Sequence, residues 1–454
     1  MAEWMSGADA AWLHMDRPTN RMIVQSVLWF DSPMDWDRLL EAVSERWLNG
    51  YPRFRQRVQE SPTPFGPLAL PRWVTDPEFQ LGRHIVRASL PASGDDDVLH
   101  RYVETQSPRP LDPERPLWEL HLLDGYGGGS AVLLRTHHAI ADGLALMHLF
   151  EALSDQGATR PEPPAASGGG GFQALMHKGS ALLQRSRETV TDPGKLAEAL
   201  AVLRAQNAGW RRLGLIRQDR ETVLRHEVGT AKGLRWTDSL PLSAVKAVAA
   251  EAGGSVNDLL LAIIAGALGR YLDERGDHPD RLGAVVPFNI RPLDKPMSRG
   301  LGNRFGLVFV NLPIGEASLR ERTRATKLEM DAIKASRQGR VTFGGLTTAG
   351  TMPARLDRAF IDRYAGMGSL IVTNVSGPRQ ALSFAGVEAT GLLFWVPATG
   401  PIGLGLSIVS YAGRLRIGVI ADTTLVPEPD RLLAALDAEL ANALPVAAAR
   451  GHER

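Results

Sequence analysis

Residues 135–143 read RTHHAIADG. They stand between an apolar run, AVLLRTHH (131–138), and LALMHLFEAL (144–153), in which Leu146, Phe150 and Leu153 fall on one helical face. His137 and His138 therefore sit where a strand ends and just before a helix begins, so that a ring can project into a cleft. Imidazole, with an ordinary pKa near ~6.5, is the side chain best suited to take a proton at neutral pH, and His138 is the better placed of the two. Asp142, in a loop and followed by Gly143, is positioned to brace the turn rather than to touch a substrate, and such a carboxylate calls for an arginine partner. Two blander readings stand beside this one. The histidines can be satisfied core or edge residues, or they can form a metal site with Asp142; neighbours on a strand point to opposite faces, which argues against the metal.

Working outward, PLWELHLLDG (116–125) and the glycines at 127–129 predict a hairpin with 131–138. MIVQSVLWFD (22–31) reads as a strand and DRLLEAVSERWL (37–48) as an amphipathic helix. TRPEPPAASGGGG (159–171) lacks both propensities and reads as a linker. Residues 172–225 read as mostly helical and basic, with ten Lys/Arg against five Asp/Glu. This is either a solvated arm across two domains or a surface for an anionic membrane or acidic ligand. From 226 onward, helices are expected at 243–252, 257–272 (capped by Ser255), 317–337, 353–366 and 428–443, and strands at 283–289, 305–313, 370–375, 403–411 and 415–422. Both halves mix helices and strands without the regular alternation of a doubly wound sheet, giving an α/β fold of the α+β type. The boundaries are a first domain 1–158, a linker and basic crossover 159–225, and a second domain 226–454.

Composition narrows the chemistry. Of 454 residues 44% are hydrophobic and 22% charged, a soluble globular profile, and none is cysteine. Disulfides, thiolate zinc sites, iron–sulfur clusters and a cysteine acyl-enzyme are excluded. No GxSxG elbow and no Walker A sequence occurs. A net charge of +1 gives no electrostatic footprint for nucleic acid, so no nucleic-acid partner is expected. MAEWMSGADAAWLHMD lacks the pattern of a secretory signal, and a cytoplasmic location is expected. The uncharged run between Glu388 and Arg414 has the length of a membrane span, but Pro397, Pro401 and its glycines break a helix, and its segments alternate like strands.

HHAIADG (137–143) matches the HHxxxDG signature of the CoA-dependent acyltransferase superfamily. With PLDPERPLWEL (110–120), SVNDLLLAIIAGALGRYL (255–272) and GSLIVTNVSGP (368–378), the chain resembles the bacterial wax ester synthase/diacylglycerol acyltransferase family over nearly its whole length. The resemblance implies two chloramphenicol-acetyltransferase-like domains of mixed sheet and helix, with the active site in a channel between them. It implies His138 as general base, His137 as its structural neighbour, and Asp142 and Gly143 as holders of the turn. Asn257 and Asp258 would face the channel from the second half, Asn257 as a hydrogen-bond donor to a reacting oxygen. Ser369 and Asn374 would belong to the interdomain floor, and Trp118 is a candidate substrate contact. Asn257 also reads as a helix cap, Asn374 with Gly377-Pro378 as a turn, and Trp118 as a core residue.

The implied substrates are acyl-CoA with diacylglycerol or a long-chain alcohol, without metal or cofactor, and the implied surroundings include a membrane or lipid-inclusion surface. The same superfamily also offers a condensation-type acyltransferase acting on carrier-bound substrates, and the fold alone a catalytically silent lipid-binding protein. The chain departs from the family pattern at Ser6-Gly7-Ala8-Asp9 (Ser-Pro-x-Asp), Arg21-Met22-Ile23 (Pro-Met-His) and PFNIR, 287–291 (Pro-Val-Ser-Val-Arg). These changes spare the base and bear on acceptor preference.

Overall fold

A computed structural model of the chain describes residues 2–61, 70–91, 94–157, 219–291 and 297–444. The linker and most of the basic crossover (159–218) lie outside the described residues. The main strands are β1 (Ile23–Phe30), β2 (Ile85–Ser89), β3 (Trp118–Tyr126), β4 (Gly129–His137), β5 (Lys232–Trp236), β6 (Arg281–Asn289), β7 (Phe305–Pro313), β8 (Leu370–Ser376), β9 (Val387–Trp395), β10 (Leu404–Tyr411) and β11 (Arg414–Asp422). The helices that bear on the site are α1 (Gly7–Met15), α2 (Asp96–Gln106), α3 (Gly143–Leu153), α4 (Val256–Asp273), α5 (Leu319–Ser336), α6 (Gln338–Ala349), α7 (Ala354–Ala365) and α8 (Pro429–Ala443).

The expected hairpin forms: β3 and β4 pair antiparallel across the glycine turn, and β4 pairs antiparallel with β1, setting His137 opposite Ile23. The first sheet runs 383–384, β9, β1, β4, β3, β2, and the second runs β7, β6, β8, β10, β11, β5. Every residue of β1 and of β4 is buried, because both faces of the first sheet are covered. The halves of the chain are interlocked. Although β9 comes from the second half, it pairs antiparallel with β1 of the first, with Leu392 opposite Leu28.

Two apolar cores result, one around the first sheet with Trp47, Trp118 and Phe394, the other around α4 and the second sheet. α4 is apolar on all sides and is buried on nearly all of them, as such a helix must be. The uncharged run 389–413 folds as β9, a turn and β10. Among the described residues no single helix is long and apolar enough to cross a membrane; 242–251 and α4 reach that length and composition only as a pair bent by 88°.

Candidate active site

The turn after β4 is held from both halves of the chain. His138 donates its backbone N–H to Met22 O (2.7 Å), and Ile140 N–H closes back on His137 O (2.9 Å). Asp142 is the N-cap of α3, its Oδ1 accepting from Ala145 N–H at 2.9 Å. Its Oδ2 reaches the second half, accepting from the Arg291 guanidinium (2.9 Å) and from Arg304 N–H (3.0 Å). Arg291 is thus the arginine that Asp142 called for. It also donates to Gly302 O (3.0 Å), while Gly302 N–H bonds Ile140 O (3.0 Å), so that 302–304 runs alongside the histidine turn. Gly302 has φ +86, a left-handed conformation that favours glycine, and a Cβ there would stand a tight 3.2 Å from Asp9 Oδ2. Gly143 opens α3 with its Cα face against the second half: an added Cβ would lie 3.0 Å from Val375 Cγ2 on β8.

His138 is buried, its ring stacked on Trp12 of α1 (centroids 4.1 Å, 11°) and 5.7 Å from Phe305. Its Nδ1 lies 2.9 Å from Asn303 Oδ1. The orientation of that amide is fixed by its other end, because Asn303 Nδ2 donates to Asp9 Oδ1 (2.7 Å) and to His138 O (2.8 Å). Both of those partners are acceptors only, so the atom facing the ring is the oxygen, Nδ1 carries the hydrogen, and the Nε2 lone pair is left to take a proton. Asp9 also accepts from Asn303 N–H (2.9 Å) and from Ser6 Oγ (2.7 Å). Burial pushes the pKa of Asp9 up.

Burial also pushes His138 below the ordinary imidazole value; its own carbonyl, Asp142 and Asn303 pull the other way without prevailing. The neutral, proton-accepting form is therefore favoured at neutral pH. His137 is pushed down to about 4, chiefly by burial, and its Nδ1 accepts from Ala139 N–H (3.1 Å), so it shapes the turn.

The remaining residues expected from the sequence fall into separate places. Asn257 Oδ1 accepts from Asn374 Nδ2 at 3.2 Å. Asn374 neighbours Val375, which touches Gly143, and Gly377 lies against Met147 of α3, so this amide pair flanks the histidine turn from β8. The cap of α4 is not Asn257. It is Ser255, in a reciprocal box in which Asp258 Oδ2 accepts from Ser255 N–H (2.9 Å) and Oγ (2.7 Å). Asp258, expected to face substrate, is a buried capping residue instead. Ser369 is buried and donates to Asp219 Oδ2 (2.7 Å), which also accepts from Gly283 N–H; it fastens β8 to β6 and to the incoming chain. Trp118 is fully buried, its indole N–H bonded to Phe54 O (3.0 Å) and its ring stacked on His84, and the core alternative holds for it.

Asn303, Asp9, Trp12 and Arg291 were not singled out from the sequence. Asp9 and Arg291 lie in two of the segments where the chain departs from the family pattern, Ser6–Asp9 and 287–291, and that was the available signal.

An apolar cavity of about 320 Å³ lies against β7, α6 and α7, and its lining includes Leu307, Val341, Leu346, Phe360, Ile361 and Tyr364. Leu307 stands two residues from Phe305 on one face of β7, so the strand that carries Phe305 to the His138 ring also forms a wall of the cavity. Phe360 both lines it and is 43% exposed, so it opens at the surface of α7.

Two family models match in order along the chain: the wax ester synthase/diacylglycerol acyltransferase catalytic domain over residues 5–260, and the C-terminal domain of the same family over 301–443. A Mycobacterium tuberculosis (strain CDC 1551) protein described as a diacylglycerol O-acyltransferase is 29% identical over 447 residues, covering 94% of this chain and 87% of that one. A second, tgs1 of strain H37Rv, also described as a diacylglycerol O-acyltransferase, is 28% identical over 432 residues, 92% and 89% of the two chains. Among solved structures, the wax ester synthase/diacylglycerol acyltransferase from Marinobacter aquaeolei has the same fold, with TM-score 0.66 and 20% identity over 98% of this chain and 100% of that one. The first condensation domain of the calcium-dependent antibiotic synthetase shares it at TM-score 0.64 and 15% identity, covering 99% and 96%. With its signature histidines in a built site and family models covering most of its length, this chain belongs to the wax ester synthase/diacylglycerol acyltransferase family.

Proposed function

We propose that the protein is an acyl-CoA-dependent O-acyltransferase that esterifies diacylglycerol, a long-chain alcohol, or both. The observation that carries this reading is the hydrogen bonding around His138: the Asn303 amide, oriented by Asp9 and the His138 carbonyl, turns its oxygen to Nδ1, which favours the tautomer with Nε2 as a base in a buried site. Nε2 takes the proton of the acceptor hydroxyl as its oxygen bonds to the thioester carbonyl carbon. The tetrahedral intermediate collapses, the carbon–sulfur bond breaks, and the proton passes from Nε2 to the departing CoA thiolate. No acyl-enzyme forms. Asn257, whose Oδ1 is engaged by Asn374, keeps its Nδ2 hydrogens for the developing oxyanion.

The two halves, 1–158 and 226–454, act as chloramphenicol-acetyltransferase-like domains with the site in a channel between them. The cross-half bonds of Asp142 and Asn303 support this reading. The cavity beside Phe305 takes a fatty chain, each buried methylene contributing roughly 0.8 kcal/mol. Exposed Met352, Leu356 and Phe360, the last of which lines the cavity, support peripheral contact with a lipid surface from the cytoplasmic side.

The test is thiol release from palmitoyl-CoA with a panel of diacylglycerols and alcohols, followed by product chromatography. Release of CoA with ester formed is expected. His138→Ala should cut it by at least ~10²-fold in protein that still unfolds cooperatively in urea, and survival of more than about a tenth of the rate sinks the base role. The fold shared with condensation domains favours one rival: activity confined to carrier-bound acyl groups, with free acyl-CoA inert, would establish it and overturn the proposal.

A further inference from the structure

α7 is polar where it is buried and apolar where it is exposed. On its inner side Asp357 is 0% exposed and meets His14 Nδ1 of α1 at 3.0 Å, with Ile361 and Ala365 buried on the following turns. On its outer side Leu356 and Phe360, one turn apart, are 54% and 43% exposed, and Met352 stands exposed just before the helix. Exposed apolar residues scattered singly need no explanation, but three along 352–360 form a patch.

The charge around the patch is of one sign. Residues 337–366 hold five arginines and two aspartates. Both aspartates are engaged from the α1 side, Asp357 by His14 and Asp362 by Arg17 (3.1 Å). Arg355 and Arg363, exposed at either end of the Leu356–Phe360 row, have no carboxylate within ion-pair distance among the described residues. An apolar row bracketed by arginines complements an anionic lipid surface, the apolar side chains dipping below the headgroups and the guanidinium groups meeting the phosphates. The same charge argues against other occupants. A second copy would bring a like-charged face, and the chain's own 172–225 stretch, with ten Lys/Arg against five Asp/Glu, is basic as well.

The patch also borders an entrance. Phe360 and Arg363 are exposed and line the apolar cavity, and Gly345 of α6 stands across from Phe360, where an added Cβ would lie 3.9 Å from Phe360 Cζ. Diacylglycerol and long-chain alcohols are uncharged and reside in a bilayer, whereas the charged headgroup of acyl-CoA lets the donor arrive from water. α7 is moreover fastened to α1, since Arg358 Nε also donates to His14 O, and α1 carries Asp9 and Trp12 to the histidine turn. The exposed helix and the base thus share one support.

We propose that the outer face of α7 docks on an anionic lipid surface and that the acceptor lipid enters the protein from that surface, between Phe360 and Gly345. The docking stands on the face itself; the entry of an acceptor rests on the proposed esterification.

The chain has no cysteine, so a single introduced one can carry an environment-sensitive fluorophore. Labelled Leu356→Cys should shift to the blue on phosphatidylcholine vesicles that contain phosphatidylglycerol, and respond weakly to phosphatidylcholine alone. Labelled Val86→Cys, 40% exposed on the edge strand β2 of the first sheet, should not respond. Flotation of the unlabelled full chain should show capture by the anionic vesicles. The double change Arg355→Gln with Leu356→Ser should cut it about tenfold or more in protein that still unfolds cooperatively in urea. An equal response at both labels, no response, or capture that ignores the double change overturns the docking face. A label at 356 already shielded before vesicles are added gives the face to a second copy or to the chain's own crossover, and overturns it as well. Entry is read with dioleoylglycerol in the same vesicles and palmitoyl-CoA in solution, where ester formation should fall in step with capture. Ester formation that survives the loss of capture overturns the entry. Insertion at 356 without any turnover by the native chain overturns the acyltransferase reading, and the entry with it, while the docking face stands.

Discussion

At the histidine turn, Asp142 spends one oxygen on the cap of α3 and the other on two donors from the second half, and Asn303 spends both ends of its amide on His138 and Asp9. At the facing corner, a half-buried Asn257 and an exposed Asn374 share a single 3.2 Å bond. The first region is complete before any substrate arrives, which is what a proton-transferring group needs if its ring is not to reorganise during the reaction. The second keeps donors free for a ligand. On the proposed mechanism the same family signature marks two kinds of residue, those that hold the base and those left open to the substrate, and substitution separates them.

Asp142→Ala should have the largest effect, because it removes the cap and both cross-half bonds and leaves a largely buried Arg291 unpaired. Breaking a buried ion pair from one side costs about 3–5 kcal/mol, to which the lost cap adds about 1 kcal/mol. Urea unfolding should show that loss, and ester formation should vanish with it. A cost below about 1 kcal/mol would mean that the turn is held by burial alone, and the contrast with the Asn257 corner would collapse.

How much of this was legible beforehand depends on the range of the interaction. That Asp142 would find an arginine followed from a carboxylate in a turn before a helix, a local inference about charge. That the partner would be Arg291 did not, since it lies 149 residues away and no local pattern encodes it. Asn303 is harder still: its partners are His138 and Asp9, 165 and 294 residues distant, and an asparagine after a glycine reads as an ordinary turn. The same limit explains β9. Alternation identified a strand-like run, but pairing with β1 rather than with the second sheet is set by which edge remains open after β4 and β1 have joined. α6 was hidden by its glycines and threonines, poor helix formers that close packing on Gly306 and the Thr342 bond to Leu307 N–H (2.8 Å) nonetheless hold in place. Asp258 and Trp118 were read toward substrate because motif membership does not distinguish a residue that makes the scaffold from one that faces the ligand.

Asn257→Ala sharpens the comparison from its open side. If its Nδ2 meets the oxyanion, kcat should fall by about 10²-fold, as for removal of one such donor, while stability changes by less than about 0.5 kcal/mol because the lost bond is a single one at the surface. Asn374→Ala, which touches substrate only through Asn257, should cost less in kcat. Equal losses for both, or a stability loss matching that of Asp142→Ala, would make the corner part of the rigid frame.

Asn303→Leu gives the smallest effect on rate and the most specific one on pH. In the proposed mechanism His138 acts when neutral, and burial sets its pKa below the ordinary imidazole value, so kcat/KM of the native protein should hold as pH falls through 6.5 and fail only below it. Asn303 Oδ1 accepts from Nδ1–H and thereby favours the protonated ring; removing it lowers the pKa further and frees the ring to adopt the other tautomer. The rate at neutral pH should drop about tenfold with KM little changed, as expected of a residue that orients a catalytic group. The acid limb should move to lower pH, so the deficit against the native protein narrows as the solution is acidified. A merely structural loss would lower the profile without shifting it. A limb that stays in place or moves up would show that Asn303 does not accept from His138, and with it would go the distinction between a base held ready and a corner held open.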